Sequence, residues 1–230
     1  MCSDSQATGR FHKTTNAKKI YRLDKLGPAL AGGAGDPAYI SMLVTDFQRH
    51  RPLTISNVKK LVGKNFEIYA ERERKVDNEL SLALVVALME KDQPRIYRIT
   101  EVGAYEKILH GRRGYTTIGD GALWANWLME RFYATHMSID SLKELLAYIV
   151  LSVEAAATSV GGPLQMATLE LLKGEWKAEH VLPDELSDMT DKVKQRDALL
   201  RIFWHQSSQD PEFEASLFKK AEKQAENLED

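Results

Sequence analysis

The feature that decides the fold is the stretch Tyr115-Thr116-Thr117-Ile118-Gly119-Asp120-Gly121-Ala122, in which a strand-like run meets a Gly-x-Gly turn. Two glycines around one polar residue allow the backbone to turn sharply and to expose N–H groups at the start of a helix. Two helical patterns follow, and Gly161-Gly162-Pro163 then leads into another strand-like run. The predicted architecture depends mainly on this order of strand, Gly-x-Gly, helix, helix, Gly-Gly-Pro and strand.

Composition indicates a globular protein. A chain of 230 residues is long enough for one substantial core, and 43% hydrophobic with 28% charged residues is typical of a soluble domain. The net charge of −2 argues against a nucleic-acid partner or a membrane surface. The single cysteine excludes an internal disulfide and favours a reducing compartment. With no signal-peptide pattern and no apolar run of membrane-spanning length, we expect a cytoplasmic protein.

Hydrophobic periodicity predicts two blocks, each made of strands followed by a helix pair. In the first block, Asp36 is expected to be a helix N-cap, with Pro37 in the first turn. Thr54 is expected to open the second helix. Its predicted strands cover residues 1–9, 18–23 and 27–33.

The second block begins with four predicted strands, at residues 80–88, 94–100, 104–110 and 114–118. One helix then presents Trp124, Trp127, Leu128 and Phe132 on a shared face, and Ser138 caps the next. The expected buried stripe of that second helix is Ile139, Leu142, Leu146, Ile149, Val150 and Val153. Residues 164–172 and 175–180 are predicted to form two closing strands.

These blocks predict an α+β fold of two stacked antiparallel sheets with helix pairs outside both. The composition becomes charged and helical from Pro183 onward. We therefore expect one domain over residues 1–182 and a helical C-terminal extension over residues 183–230.

Five short segments resemble, in the same order, motifs of proteasome β-type subunits and of the related bacterial proteasome-like protease subunits. The resemblance spans about residues 3–180, and its segments are 3–8, 18–21, 31–36, 118–121 and 161–163. It implies the N-terminal-nucleophile hydrolase fold, a four-layer αββα sandwich, with no cofactor and no metal. It also implies a homo- or hetero-oligomeric ring that degrades unfolded polypeptide, with an ATPase regulator as a further partner.

The same resemblance assigns candidate site residues. In the family an N-terminal threonine attacks the peptide carbonyl, and its own α-amine accepts the proton. Lys19 would be the lysine that lowers the pKa of the hydroxyl, Asp4 its aspartate, and Gly32 the oxyanion donor. Three further positions would contact substrate, with Thr8 pairing with its backbone and Leu30 and Ala34 lining the primary pocket.

The chain also departs from the family pattern. The expected nucleophile lies upstream of Met1, which leads us to expect that Met1 is not the natural start. Asp120 replaces the serine usual between the two glycines, and it is a candidate for catalysis or for capping the next helix. Ala157 and Val160 replace an acidic residue and a serine. A non-catalytic ring subunit is therefore the second hypothesis.

Each site residue also has a structural interpretation. Lys19 could be a surface lysine on an edge strand, Asp4 a turn cap and Gly32 a point of tight strand packing. Cys2 would become an N-terminal nucleophile if Met1 were removed, but its position two residues before Asp4 argues against this.

Three other sequence patterns bear on possible ligands and partners. The spacing Gly33-x-Gly35-x-x-Ala38 fits a dinucleotide fingerprint and raises the alternative of a nucleotide-binding regulatory protein. The six histidines are scattered, which argues against a metal site. The Trp124–Trp127 pair is expected in the core or in a ring interface, with Tyr39, Trp127 and residues 192–228 as candidate subunit contacts.

Overall fold

A computed structural model describes residues 1–4, 7–8, 13–14, 17–23, 27–49, 54–74, 82–100, 105–108 and 114–207, together with residues 212, 215, 216 and 219. The chain divides into two compact units, residues 1–187 and 188–230. The strands are β1 (Cys2–Ser3), β2 (Ala7–Thr8), β3 (Lys13–Thr14), β4 (Ile20–Arg22), β5 (Leu30–Gly35), β6 (Leu82–Glu90), β7 (Gln93–Thr100), β8 (Tyr105–Ile108), β9 (Gln165–Leu172) and β10 (Glu175–His180). The helices are α1 (Pro37–Arg49), α2 (Ile55–Arg74), α3 (Ala122–Phe132), α4 (Ile139–Ala156) and α5 (Pro183–Ser207).

The larger sheet has five strands in the order β4-β5-β6-β7-β8, and every neighbouring pair is antiparallel. Lys91 and Asp92 connect β6 to β7 with φ values of 50° and 61°, the left-handed conformation that suits a two-residue hairpin. The strands predicted at 80–88 and 94–100 are thus confirmed and form a hairpin, although β6 and β5 each lie a few residues later than the sequence pattern indicated. Burial alternates along β6, so one face of this sheet meets helices and the other meets the second sheet.

Helices α1 and α2 cover the outer face of the five-stranded sheet. The predicted N-cap at Asp36 and the predicted helix start at Thr54 are confirmed: Asp36 Oδ1 accepts from the Tyr39 N–H at 2.9 Å, and Thr54 Oγ1 accepts from the Asn57 N–H at 3.2 Å. The Tyr39 ring is fully buried and stacks on Tyr69 with 4.6 Å between centroids. The prediction that Tyr39 is an exposed subunit contact is therefore wrong, because its ring forms part of the helix–sheet core.

The second sheet has three antiparallel strands in the order β1-β9-β10. Ile20 and Leu30 from the larger sheet pack against Ala167 and Ala178 from this one, forming the core between the sheets. Helices α3 and α4 pack against each other, and α4 contacts β1, so the pair covers the remaining face. The layers are therefore helices, sheet, sheet and helices, as predicted.

The Gly-x-Gly stretch has a specific local role. Gly119 adopts a φ of 91°, which non-glycine residues rarely adopt, and its carbonyl accepts from the Ala122 N–H at 3.0 Å. A Cβ at Gly121 would collide with the Val153 side chain of α4. The first glycine therefore makes the turn, and the second allows α3 to begin directly against α4.

One sequence prediction in this half is wrong, and a second is only partly confirmed. Residues 114–118 do not form a strand; Tyr115 packs edge-on against Tyr133 at 5.3 Å, and the segment lies beside α3. In the predicted stripe of α4, Ile149 and Val153 are buried, but Ile139 is 40% exposed, and the unpredicted Leu145 and Ala147 are also buried. The stripe assumed a single buried face, but α4 contacts both α3 and β1.

Helix α5 begins at Pro183, where the sequence composition changes. Asp184 and Glu185 lie in its first turn, where the helix dipole favours negative charge. Glu185 also accepts from Lys143 Nζ of α4 at 3.0 Å. The predicted helical pattern over 211–228 lies outside the described residues, except for helical positions 212, 215, 216 and 219.

We predict that Asp36→Ala lowers the free energy of unfolding by about 1–2 kcal/mol, since the carboxylate also accepts from the Tyr69 hydroxyl at 3.0 Å. The matched control is Asp36→Asn, which keeps an acceptor oxygen and should retain most of that stability. Urea unfolding of both variants measures the difference. Equal losses for Ala and Asn would contradict the capping role.

Candidate functional site

The structure brings Lys19 and Asp4 into an ion pair, with 2.7 Å between Lys19 Nζ and Asp4 Oδ1. Asp4 directly follows β1 of the three-stranded sheet, and Lys19 directly precedes β4 of the five-stranded sheet. Their side chains are only 10% and 23% exposed. The pair therefore joins the two sheets at a position that is largely shielded from water.

Asp4 has a second firm contact, on its other carboxylate oxygen. The Gly161 N–H donates to Asp4 Oδ2 at 2.9 Å, and the Ser3 hydroxyl lies 3.4 Å from Asp4 Oδ1. A buried carboxylate needs such partners to remain charged. Gly161 belongs to the Gly-Gly-Pro motif, so this motif directly orients the aspartate.

The backbone of Lys19 is held from two directions. Its carbonyl accepts from the Gly33 N–H at 3.2 Å, and its N–H donates to Gln165 Oε1 at 3.1 Å. The contacts of Gly161 and Gln165 were missed by sequence reasoning. The Gly-Gly-Pro motif was the available signal for the first, whereas no sequence signal indicated the second.

Gly32 lies beside this pair. A Cβ at this position would stand 2.7 Å from Met1 Sδ and 3.6 Å from the Lys19 carbonyl oxygen, so a side chain here would have to displace the Met1 side chain. Met1 itself continues the second sheet: its amine donates to the Ala167 carbonyl at 2.7 Å, and its carbonyl accepts from the Ala167 N–H at 2.9 Å.

The other predicted site residues, Ala34, Leu30 and Thr8, have different surroundings in the structure. A Cβ on Gly119 would lie 3.2 Å from that of Ala34, so Ala34 faces the Gly-x-Gly turn. Leu30 is 1% exposed and packs in the core between the sheets. The main chain of Thr8 pairs with that of Lys13, and the structure does not describe the Thr8 side chain.

Asp120 is exposed, and it does not cap the following helix. The cap position of α3 is Gly121, without a side-chain hydrogen bond. The capping interpretation of Asp120 is therefore wrong, because the backbone turn at Gly119 takes its place. A catalytic role for Asp120 stays a prediction.

This geometry defines what the site can do chemically. A lysine ammonium held by a buried carboxylate presents a fixed positive charge, which lowers the pKa of a hydroxyl placed next to it. Backbone N–H groups of a strand without side chains can stabilise a developing oxyanion. Asp4, Lys19 and Gly32 thus lie together at the junction of the two sheets, as the sequence led us to expect.

Two groups at the start of the chain have shifted pKa values. Removal from solvent lowers the pKa of the Met1 amine below its usual 8.0. Burial raises the pKa of the Cys2 thiol from 9.0 to about 12. Since the thiolate is the nucleophilic form, this environment opposes a nucleophilic role for Cys2.

The structure gives no support to the nucleotide-binding alternative. Strand β5 has antiparallel neighbours on both sides, whereas the dinucleotide motif requires a parallel βαβ unit. Asp36 Oδ1 also bonds the Tyr39 N–H in the first turn of α1, where a phosphate would need to approach. Within the described ranges, no group of three or more His, Cys, Asp or Glu side chains could hold a metal ion.

Among the helices of the described chain, none combines the length and the apolar content needed to cross a bilayer.

Comparison with known proteins gives a family match over most of the chain. Residues 1–169 match the family described as "Proteasome subunit". The chain is also similar to "Proteasome subunit beta 2" of Nitrosopumilus maritimus, with 22% identity over 178 residues that cover 74% of this chain and 80% of that relative.

Two solved structures have the same fold at low sequence identity. "Helical Assembly of the Anbu Complex from Pseudomonas aeruginosa" superposes with a TM-score of 0.73 at 15% identity, covering 89% of this chain and 90% of that one. "Anbu (ancestral beta-subunit) from Yersinia bercovieri" gives a TM-score of 0.66 at 17% identity, covering 88% and 91%.

The shifted pKa values predict a stability optimum for the 1–230 chain with a free Met1 amine. Below pH 8.0 the unfolded amine binds more protons than the folded amine, so stability rises with pH up to about that value. Between pH 9.0 and about 12 the unfolded thiol loses its proton first, so stability falls. Urea unfolding across this pH range measures both the rise and the fall in stability.

Two altered forms of the protein separate these effects. Acetylation of the Met1 amine should remove the rise in stability below pH 8.0, and Cys2→Ser should remove the fall above pH 9.0. A rise or fall that persists unchanged in the corresponding form would contradict its assignment to the Met1 amine or the Cys2 thiol.

Proposed function

Because the chain belongs to the proteasome subunit family, we propose that it is a β-type subunit of a self-compartmentalising protease that hydrolyses peptide bonds. The observation that carries the proposal is the Lys19–Asp4 pair at 2.7 Å, next to the strand that contains Gly32. The proposed nucleophile is an N-terminal threonine, as the family resemblance implies. The proposed substrate is unfolded polypeptide.

The contacts support a division of roles within this site. Lys19 would stabilise the threonine alkoxide, and Asp4 would keep the lysine charged and aimed at it. The threonine α-amine would take up the hydroxyl proton and later pass it to the leaving amine. The backbone N–H of Gly32 would stabilise the tetrahedral oxyanion.

Assembly with other copies is part of the same proposal. Helix α3 presents an apolar surface formed by Leu123, Trp124, Trp127 and Phe132, which are 78%, 53%, 49% and 47% exposed. Exposed apolar patches of this kind mark interaction sites, and Trp and Phe are enriched in such interfaces. The core interpretation of the Trp124–Trp127 pair is therefore wrong, whereas the interface interpretation is retained. One structurally similar protein is described as a helical assembly.

The remaining partners are also proposals. An ATPase regulator that delivers unfolded chains, and a location in the cytoplasm, fit a degradative ring built from this subunit. The single cysteine favours a reducing compartment.

A second candidate function is a non-catalytic ring subunit. Ala157 and Val160 support it, because both pack against the apolar cluster of α3 and α4 where the family has polar residues. Apolar side chains at these positions cannot orient the amine of a nucleophile by hydrogen bonding.

We predict that Lys19→Ala lowers peptide turnover at least about 100-fold in the assembled native particle, since the alkoxide would lose its neighbouring charge. Asp4→Asn should give a similar loss. Lys18→Ala is the matched control, because Lys18 is exposed and lies over the Tyr21 ring. Hydrolysis of fluorogenic peptides measures all three.

The result also distinguishes the two candidate functions. If Lys19→Ala loses turnover and Lys18→Ala keeps it, the hypothesis of a non-catalytic ring subunit is refuted. A wild-type particle that assembles without turnover would refute the protease proposal.

We predict that Trp127→Glu reduces assembly, because it places a charge in the centre of the α3 surface. Ser56→Glu, an equal charge change on the exposed face of α2, is the control. Native mass spectrometry should show lower-mass species for Trp127→Glu and full assemblies for Ser56→Glu. Assemblies of unchanged mass in both variants would show that α3 is not an interface.

A further inference from the structure

We propose that Gln165 is a positioning residue for the Lys19–Asp4 pair, an inference that rests on the function proposed above. Its side-chain amide forms two hydrogen bonds to the segment before β4. Gln165 Oε1 accepts from the Lys19 N–H at 3.1 Å, and Gln165 Nε2 donates to the Ala17 carbonyl at 2.6 Å. The amide therefore binds the backbone on both sides of Lys18.

The segment from Ala17 to Lys19 depends on this amide because it lies outside the sheet ladder. Strand β4 pairs with β5 only from Ile20 to Arg22. The Lys19 carbonyl is held by the Gly33 N–H, and its N–H is held by Gln165. Together these contacts fix the Lys19 backbone on both sides, which sets the direction in which its side chain leaves the chain.

The backbone of Gln165 is also tied to the aspartate side of the pair. Gln165 is the partner of Ser3 in the β1–β9 ladder, and Ser3 directly precedes Asp4. Gly161, four positions earlier, donates to Asp4 Oδ2. The short connection from α4 into β9 thus holds the aspartate through its backbone and the lysine segment through one side chain.

Only an amide satisfies both contacts at neutral pH. The Lys19 N–H requires an acceptor and the Ala17 carbonyl requires a donor, and a glutamine side chain offers one of each. A carboxylate would keep the acceptor but repel the carbonyl, and an apolar side chain would lose both bonds. Gln165→Leu and Gln165→Glu therefore remove two bonds and one bond, respectively.

The test measures the ion pair without using activity. A water-soluble carbodiimide couples a carboxylate to an amine that touches it, and peptide mapping by mass spectrometry then quantifies the Asp4–Lys19 cross-link. We expect the cross-link yield to fall in the order wild type, Gln165→Glu, Gln165→Leu. Amide hydrogen exchange at Lys19 should accelerate at least about fivefold in Gln165→Leu.

The matched control is Gln48→Leu. Gln48 Nε2 donates to the Arg22 carbonyl at 3.4 Å, so this variant also removes an amide bond to the β4 strand, but at its opposite end. Its cross-link yield and Lys19 exchange should equal those of wild type, even if its melting temperature falls as much. Equal cross-link yields in wild type and Gln165→Leu, or equal losses in both Leu variants, would overturn the proposal.

The assembled particle then separates this inference from the proposed function. Gln165→Leu should lower kcat for fluorogenic peptides with little change in KM, because it disturbs a group that acts in the transition state. A reduced cross-link in an enzyme whose wild type has no turnover would sink the protease proposal and leave the positioning role standing. An unchanged kcat together with a reduced cross-link would show that the pair is not catalytic.

Discussion

The ion pair between Asp4 and Lys19 is the contact on which the site depends, because it joins the two sheets where each contributes one charged residue. A pair this shielded from water is favourable only when the remaining polar atoms also have partners. Gly161 and Ser3 lie against the carboxylate, and Gln165 and Gly33 hold the backbone of the lysine. The sandwich thus provides a fixed positive charge that a single sheet could not provide.

Strand β5 allows these layers to approach each other closely. A Cβ at Gly32 would meet Met1 on the inner face, and a Cβ at Gly33 would meet Ile40 of α1 at 2.9 Å on the outer face. Adjacent residues of a strand point to opposite faces, so with two consecutive glycines no side chain projects from either face of the sheet at this point. The same strand also donates the Gly33 N–H to the Lys19 carbonyl at 3.2 Å, so it holds the backbone of the lysine as well.

The layers could be predicted from sequence because their signals are local. Asp36 and Thr54 mark helix starts by side-chain chemistry, and β6 and β7 show the apolar run and the alternation of a hairpin. Asp4, Lys19 and Gly32 were found together only because the order of motifs resembled a known family. Composition and periodicity alone do not indicate which residues meet across two sheets.

The failures come from tertiary contacts. Residues 114–118 have a strand-like composition but pack beside α3, and α4 buries more than one face. Gln165 gave no signal, since an amide that binds backbone atoms almost 150 residues away in sequence has no local pattern. Tyr39 was misplaced for a related reason: its hydroxyl donates to the Val62 carbonyl at 3.2 Å, which allows a polar ring to be buried.

The most direct test of the proposed chemistry is the identity of the first residue in the mature protein isolated from its native source. N-terminal peptide mass spectrometry gives this residue without any assumption about substrate or assembly. We predict an N-terminal threonine with a free α-amine. A mature protein that begins at Met1 or Cys2 would contradict threonine-dependent catalysis by this chain.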